Sequence, residues 1–183
     1  MFPDDTLTPR EAVRLCALGV LAERRHRYSA LANLIRDFVG HVLGPSLDLM
    51  GTSIELLKLE GLVEAVDGLG MEDDAEIAIT PEGRQQFRAL LTARLRSGAT
   101  ELNKLVCALK FRFLHLLGEG DQHDQVDLLV DFYSGEVVRL ENLRDRHAED
   151  GSFLGEWLDH DLGLLEQRIA WLQQFRARFP VKE

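Results

Sequence analysis

Apolar residues recur at three- and four-residue spacing through the N-terminal third of the chain, and this pattern predicts three amphipathic helices. The first lies in residues 8–23, where a threonine, a proline and a glutamate form the start signal called a capping box. The second spans about 28–43, and the third runs from a capping Ser46 to Gly61, a residue that tolerates the left-handed backbone at a helix end. Three short helices are therefore expected before the first strand.

The pattern then changes to that of a β-hairpin. Residues 62–66 are apolar and β-branched, residues 67–74 are rich in glycine and acidic side chains, and residues 76–80 alternate as a strand does. Thr80 followed by Pro81 then marks the start of a fourth helix. The predicted order is three helices, a hairpin and a helix.

The rest of the chain predicts three long helices, separated by glycine-containing breaks at 118–120 and 150–151. Helices that are apolar along one stripe bury it against each other or against a second copy of the chain. We therefore expect a mainly α fold with a small β-hairpin, in which residues 1–97 form an N-terminal winged helix and residues 98–183 a C-terminal antiparallel helical dimerisation domain. The residues expected at the dimer interface lie on the last helix: Leu154, Leu158, Leu165, Ile169 and Leu172.

The order of the N-terminal elements is that of a winged helix, in which the third helix enters the DNA major groove. Five segments resemble the PadR family of transcriptional regulators, including its virulence-activator group. Residues 15–23 and 26–31 resemble the opening helix and the start of the second, 57–63 the end of the recognition helix, 77–84 the strand after the hairpin loop, and 153–175 the closing dimerisation helix. The resemblance implies a homodimer that binds double-stranded DNA.

The charge of the chain opposes DNA binding, which depends largely on Lys and Arg that neutralise phosphates. The formal net charge is −10, and residues 1–90 hold 9 Lys and Arg against 15 Asp and Glu. Any contact with DNA must therefore come from a local patch. We interpret residues 24–27 as a solvated turn. The candidate DNA contacts lie before the second helix and on the third helix: Arg24, Arg25, Arg27, Tyr28, Thr52, Ser53 and Lys58. The alternative for the turn is that its arginines only solvate an acidic surface.

The third helix departs from the PadR pattern. PadR-like proteins generally carry an aromatic residue at the position of Gly51, and here Leu49, Leu56 and Leu59 form a second apolar stripe on the outer face. A helix apolar on both sides is usually buried on both sides, so we expect this stripe to be covered in the dimer or by a partner.

Two functions stay open: a homodimeric repressor that binds palindromic operator DNA and responds to a small aromatic effector, and a diverged dimeric protein-interaction module that has lost DNA binding.

Other residues point to no further chemistry. Cys16 and Cys107 lie in apolar helical stretches, where a small buried thiol is expected. The six histidines lack the spacing of a metal site, and no phosphate loop or nucleophile motif occurs, so we expect no metal, no cofactor and no enzymatic activity. The apolar run 15–21 is far shorter than a membrane span, so we expect a cytoplasmic protein. Six aromatic residues are expected in helical cores rather than in a ligand pocket: Phe111, Phe113, Phe132, Tyr133, Trp157 and Trp171.

Overall fold

A computed structural model describes residues 4–44, 54–98 and 100–179. The chain forms two compact units, one of residues 1–96 with 100–117 and the other of residues 97–99 with 118–183. The elements of the first unit are α1 (Pro9–Glu23), β1 (His26–Arg27), α2 (Tyr28–Leu43), α3 (Ile54–Leu59), β2 (Val63–Ala65), β3 (Glu76–Ile79), α4 (Pro81–Leu91), α5 (Glu101–Phe113) and a 3-10 turn (Leu114–Leu116). The second unit contains α6 (Glu119–Arg146) and α7 (Leu154–Arg176).

Helix α1 is the centre of the first unit. Its predicted capping box is confirmed: the Glu11 backbone N–H donates to the Thr8 hydroxyl over 3.3 Å, and the Thr8 backbone N–H donates to the Glu11 carboxylate over 2.9 Å. The helix packs against α2, α4, α5 and β3, and its residues are buried on every side in its second half. A Cβ on Gly19 would lie 2.4 Å from the ring of Phe113, so the glycine lets α5 approach this closely.

The sheet has three antiparallel strands in the order β1-β3-β2, with His26 opposite Ile77 and Val63 opposite Ile79. The sequence predicted only the two strands of the hairpin. The interpretation of residues 24–27 as a solvated turn is wrong for the last two of them, which form β1. A strand of two residues is too short to show an alternation of apolar and polar positions, and it forms because it pairs with β3. We call residues 64–76 the wing. With α1, α2 and α3 before it, this hairpin confirms the expected winged-helix fold.

Helix α5 lies in the first unit, whereas the boundary expected after residue 97 assigned it to the C-terminal domain. Its buried residues include Leu105, Leu109 and Phe113, and it packs against α1 and α2. The sequence stripe of this helix was correct, but the spacing of apolar residues does not state which neighbour covers them. The dimerisation role of the C-terminal residues stays a prediction.

The second unit is an antiparallel pair of helices. Arg144 of α6 pairs with Asp159 of α7 at 3.0 Å near the connected ends, and Arg176 pairs with Asp127 at 2.5 Å at the other end. A core of Leu140, Leu158 and Leu162 lies between the two helices. Among the described residues, no helix combines the length and the apolarity needed to cross a membrane.

Among the described residues of the first unit, one charged side chain is buried. Lys110 of α5 is only 2% exposed, and its Nζ donates to the carbonyl of Leu91, the last residue of α4, over 2.5 Å. The carbonyl end of a helix favours a cation, but burial disfavours the charged form. Burial lowers the pKa of Lys110 to about 8.

We expect the stability of the wild-type chain to rise with pH relative to that of Lys110→Met. The unfolded chain, with a lysine pKa near its ordinary 10.5, binds more protons than the folded chain between about pH 8 and 10.5. The difference in the free energy of unfolding should grow by about 3 kcal/mol across this window. Urea unfolding at pH 7.5, 9 and 10.5 measures it.

Lys104→Met is the matched control, because Lys104 lies on the same helix but is exposed. Its unfolding free energy should run parallel to that of the wild type. If the unfolding free energy of Lys110→Met also runs parallel to that of the wild type, the buried lysine does not have a lowered pKa.

Candidate DNA and subunit interfaces

The basic residues before α2 are exposed, but acidic groups of the wing contact two of them. Arg25 lies 3.7 Å from the carboxylate of Glu76, and Arg27 lies 3.1 Å from that of Asp67. Arg27 also donates to the backbone carbonyl of Asp74 over 3.1 Å. Each exposed ion pair is worth only about 0–1 kcal/mol, so the arginines are paired without being locked.

A carboxylate also occupies the amino end of α2. The Ser29 backbone N–H donates to Asp74 Oδ1 over 2.8 Å, and the Ser29 hydroxyl donates to Oδ2 over 3.1 Å. The hydrogen bond from the Ser29 backbone is the main reason why the pKa of Asp74 lies below its ordinary value. Tyr28 contributes its backbone N–H to the carbonyl of Ala75 over 3.0 Å. An anion is expected at a helix N-terminus, and here the wing supplies it from within the chain.

Helix α3 contacts the wing from the other side. Lys58 Nζ donates to the carbonyl of Leu69, and the Met71 backbone N–H donates to Glu55 over 3.1 Å. The predicted DNA contacts Thr52 and Ser53 lie outside the described residues. Lys58 is therefore the one predicted DNA contact of the third helix that the structure describes, and its ammonium group contacts the wing backbone.

Among the described residues, the outer face of α3 is exposed. Leu56 is 40% exposed and Leu59 is 85% exposed. Within the described residues these two leucines are therefore exposed, and Leu49 of the same expected stripe lies outside those residues. Covering by a second copy or by a partner stays a prediction.

The sequence analysis noted the acidic composition of the wing but did not predict its contacts with residues 25–29. Residues 64–76 contain six Asp and Glu and no Lys, Arg or His, a composition that is visible in the sequence. What the sequence does not reveal is the direction in which these carboxylates point. Asp74 reaches Ser29 across 45 residues of chain because β3 pairs with β1 and brings the two segments side by side.

The expected dimer residues on α7 are buried or half-buried within the second unit. Leu158 and Leu172 are 0% and 1% exposed, and Leu154 and Leu165 pack against the core shared with α6. Ile169 is half-buried. Most of this stripe therefore contributes to the fold of the unit. A neighbouring stripe on α7 is exposed: Trp157 at 55%, Leu164 at 50% and Trp171 at 47%.

The comparisons with known proteins decide the family. A protein-family model described as "Putative AphA-like transcriptional regulator" matches residues 2–176. The chain belongs to this family. The match spans nearly the whole AphA-like chain and confirms the expectation of a transcriptional regulator. No curated protein sequence matches it.

Several solved structures resemble the AphA-like chain at low identity. The crystal structure of Bacillus subtilis PadR is 14% identical, with coverage of 94% of this chain and 97% of that one and a TM-score of 0.40. The same protein in complex with operator DNA is 16% identical, with coverage of 90% and 96% and a TM-score of 0.35. The structure of smu.1604c from Streptococcus mutans UA159 is 13% identical, with coverage of 90% and 98% and a TM-score of 0.36.

We expect Asp74→Ala to destabilise the AphA-like regulator near neutral pH, because α2 then loses the carboxylate at its amino end. Since the pKa of Asp74 is lowered in the folded state, its contribution is present above the ordinary pKa of 3.8 and is lost as the pH falls through the folded value. Thermal unfolding at pH 7 and pH 2.5 tests this.

Glu72→Ala is the control, since it removes an exposed carboxylate from the same wing. It should leave the unfolding temperature almost unchanged at pH 7. An Asp74→Ala deficit of equal size at both pH values would show that the charge at the helix end contributes nothing.

Proposed function

We propose that this AphA-like regulator is a homodimer that acts in the cytoplasm as a repressor and binds a palindromic operator through two winged helices. The observation that carries the proposal is the family match over residues 2–176, which includes both the winged helix and the α6–α7 pair. In such a dimer the two winged helices are held at a fixed spacing, which a palindromic site matches. Response to a small aromatic effector stays a prediction from the resemblance.

DNA binding in this proposal is a competition between phosphates and the wing. Arg25 and Arg27 already pair with Glu76 and Asp67, and Asp74 holds the amino end of α2. Phosphate has to displace these carboxylates or share their partners, so affinity is modest and falls steeply with salt. The exposed, weak character of the ion pairs makes the displacement possible.

Dimerisation in this proposal uses the exposed stripe of α7. Trp157, Leu164 and Trp171 follow one another at seven-residue spacing, the repeat by which helices pair side by side. A row of large apolar side chains that is half-exposed favours an interface with another chain. A two-fold axis beside α7 would bury the same three residues from each copy.

A second candidate function is a dimeric protein-interaction module that has lost DNA binding. The specific observation in its favour is the combination of an acidic wing with exposed Leu56 and Leu59 on α3. DNA repels this surface, whereas a protein partner with apolar and basic side chains complements it. The two functions differ in what the wing carboxylates do to DNA affinity.

We expect the double variant Asp67→Asn with Glu76→Gln to bind DNA about tenfold more tightly than the wild type, because it releases Arg27 and Arg25 for phosphate. Arg25→Ala with Arg27→Ala should weaken binding to operator and random duplexes alike. It should also reduce the slope of log K against log salt by about 2. Fluorescence anisotropy at several salt concentrations, with a duplex obtained by genomic-fragment selection, measures both.

The control for net charge is Glu156→Gln with Glu166→Gln, two exposed carboxylates of α7. If this control tightens binding as much as the wing variant, the carboxylates act only through net charge. Absence of DNA binding in the wild type and in the wing variant alike would favour the protein-interaction module.

We expect Leu164→Asp to convert a dimer into a monomer, because it places a charge in the proposed seam. Ala170→Asp on another face of α7 is exposed and should leave the dimer intact. Leu158→Asp should instead unfold the second unit, since Leu158 is fully buried there. Sedimentation velocity and circular dichroism distinguish the three outcomes, and a wild-type monomer at micromolar concentration would refute the proposal.

A further inference from the structure

Five apolar side chains are exposed where α3 meets the wing, and we call them the α3–wing surface. Leu56 and Leu59 belong to α3, with exposed fractions of 40% and 85%. Val66, Leu69 and Met71 belong to the wing, with exposed fractions of 46%, 80% and 58%. Single exposed leucines are ordinary in soluble proteins, but a cluster on two adjoining elements indicates an interaction site.

The two halves of this surface are joined by hydrogen bonds. Lys58 binds the carbonyl of Leu69, and Glu55 binds the backbone N–H of Met71, so the tip of the wing lies beside α3. Leu59 lies one helical turn after Glu55, next to this junction. The segments that carry Leu59, Leu69 and Met71 are therefore held side by side before any partner arrives, which lowers the entropy cost of binding.

The surroundings of the α3–wing surface are acidic. The wing contributes six carboxylates and no cationic side chain. Four of them already contact groups of the chain, whereas the further two, Glu64 and Glu72, are exposed. Nucleic acids and anionic lipid surfaces share this sign of charge and are repelled by it. A cationic protein segment has the complementary charge.

The backbone of the wing tip offers few free groups for strand addition. The N–H and C=O of Leu69 bind Asp73 and Lys58, the N–H of Met71 binds Glu55, and the N–H of Glu76 binds Asp67. A partner that docks by β-augmentation needs unpaired main-chain groups, whereas an amphipathic helix docks through side chains. The exposed side chains of this surface suit the helix.

We propose that the α3–wing surface binds a basic amphipathic helix of a partner protein. The apolar face of that helix covers Leu59, Leu69 and Met71, and its Lys and Arg side chains lie against Glu64 and Glu72. The proposal specifies the partner that the second candidate function requires. It does not rest on DNA binding, so it stands or fails separately from the repressor proposal.

The test uses the full chain and a fluorescent synthetic peptide of about 18 residues that forms a helix with Leu on one face and Lys on the other. We expect it to bind, and a scrambled peptide of the same composition to bind about tenfold more weakly. The variant Leu59→Ser with Leu69→Ser should weaken binding of the helical peptide about tenfold. Both positions are highly exposed, so the fold tolerates the change.

Two controls locate the site. Phe153→Ser removes an apolar side chain that is 83% exposed in the second unit and should leave peptide affinity unchanged. Glu64→Gln with Glu72→Gln should weaken binding and reduce its salt dependence. Equal binding by the wild type and the Leu59→Ser, Leu69→Ser variant would overturn the proposal, as would an equal loss in Phe153→Ser.

The same variant also tests two other occupants of the α3–wing surface, a second copy of the chain and DNA. If the Leu59→Ser, Leu69→Ser variant changes the sedimentation of the chain alone, a second copy covers this surface and the proposal is wrong. A DNA titration of that variant separates the two functions: unchanged DNA affinity with lost peptide affinity supports a partner site, and lost DNA affinity with unchanged peptide affinity refutes it.

Discussion

The contact between Asp74 and the amino end of α2 is the interaction on which the functional surface depends. Asp74 lies in the wing with a φ of +43°, and its carboxylate accepts from the backbone and the hydroxyl of Ser29. The positive end of the α2 dipole stabilises that negative charge. Together with the pairing of β1 and β3, this contact fixes the wing beside residues 24–27.

Once the wing is fixed in this way, the electrostatics of the surface follow. Asp67 and Glu76 reach Arg27 and Arg25, so the cations expected to neutralise phosphate are partly neutralised within the chain. A winged helix ordinarily presents free cations to DNA. Under the proposed repressor function, phosphate therefore competes with the wing carboxylates for the same two arginines.

Helix α7 carries two apolar faces, of which only one is buried within the second unit. Leu158 and Leu172 belong to the buried face that stabilises the second unit, whereas Trp157, Leu164 and Trp171 lie on a neighbouring exposed stripe. An apolar surface this wide exceeds what one neighbouring helix covers. The residues that hold the unit together are thus largely different from those available to a second copy.

The sequence by itself determined the features that depend on near neighbours in the chain. The cap of α1 at Thr8, the cap of α4 at Thr80 and the left-handed Gly61 after α3 were all predicted and are present, because each involves residues within a few positions of one another. The winged-helix order follows from these signals and from the apolar periods.

Only the tertiary structure decided which surfaces meet. The stripe of α5 was visible in the sequence, but its packing on α1, with Phe113 over Gly19, was not, because periodicity specifies an apolar face and no partner for it. The acidic composition of the wing was likewise visible. Its contact with residues 25–29 arises from the pairing of β1 with β3, which joins segments about 50 residues apart whose sequences carry no local mark of the contact.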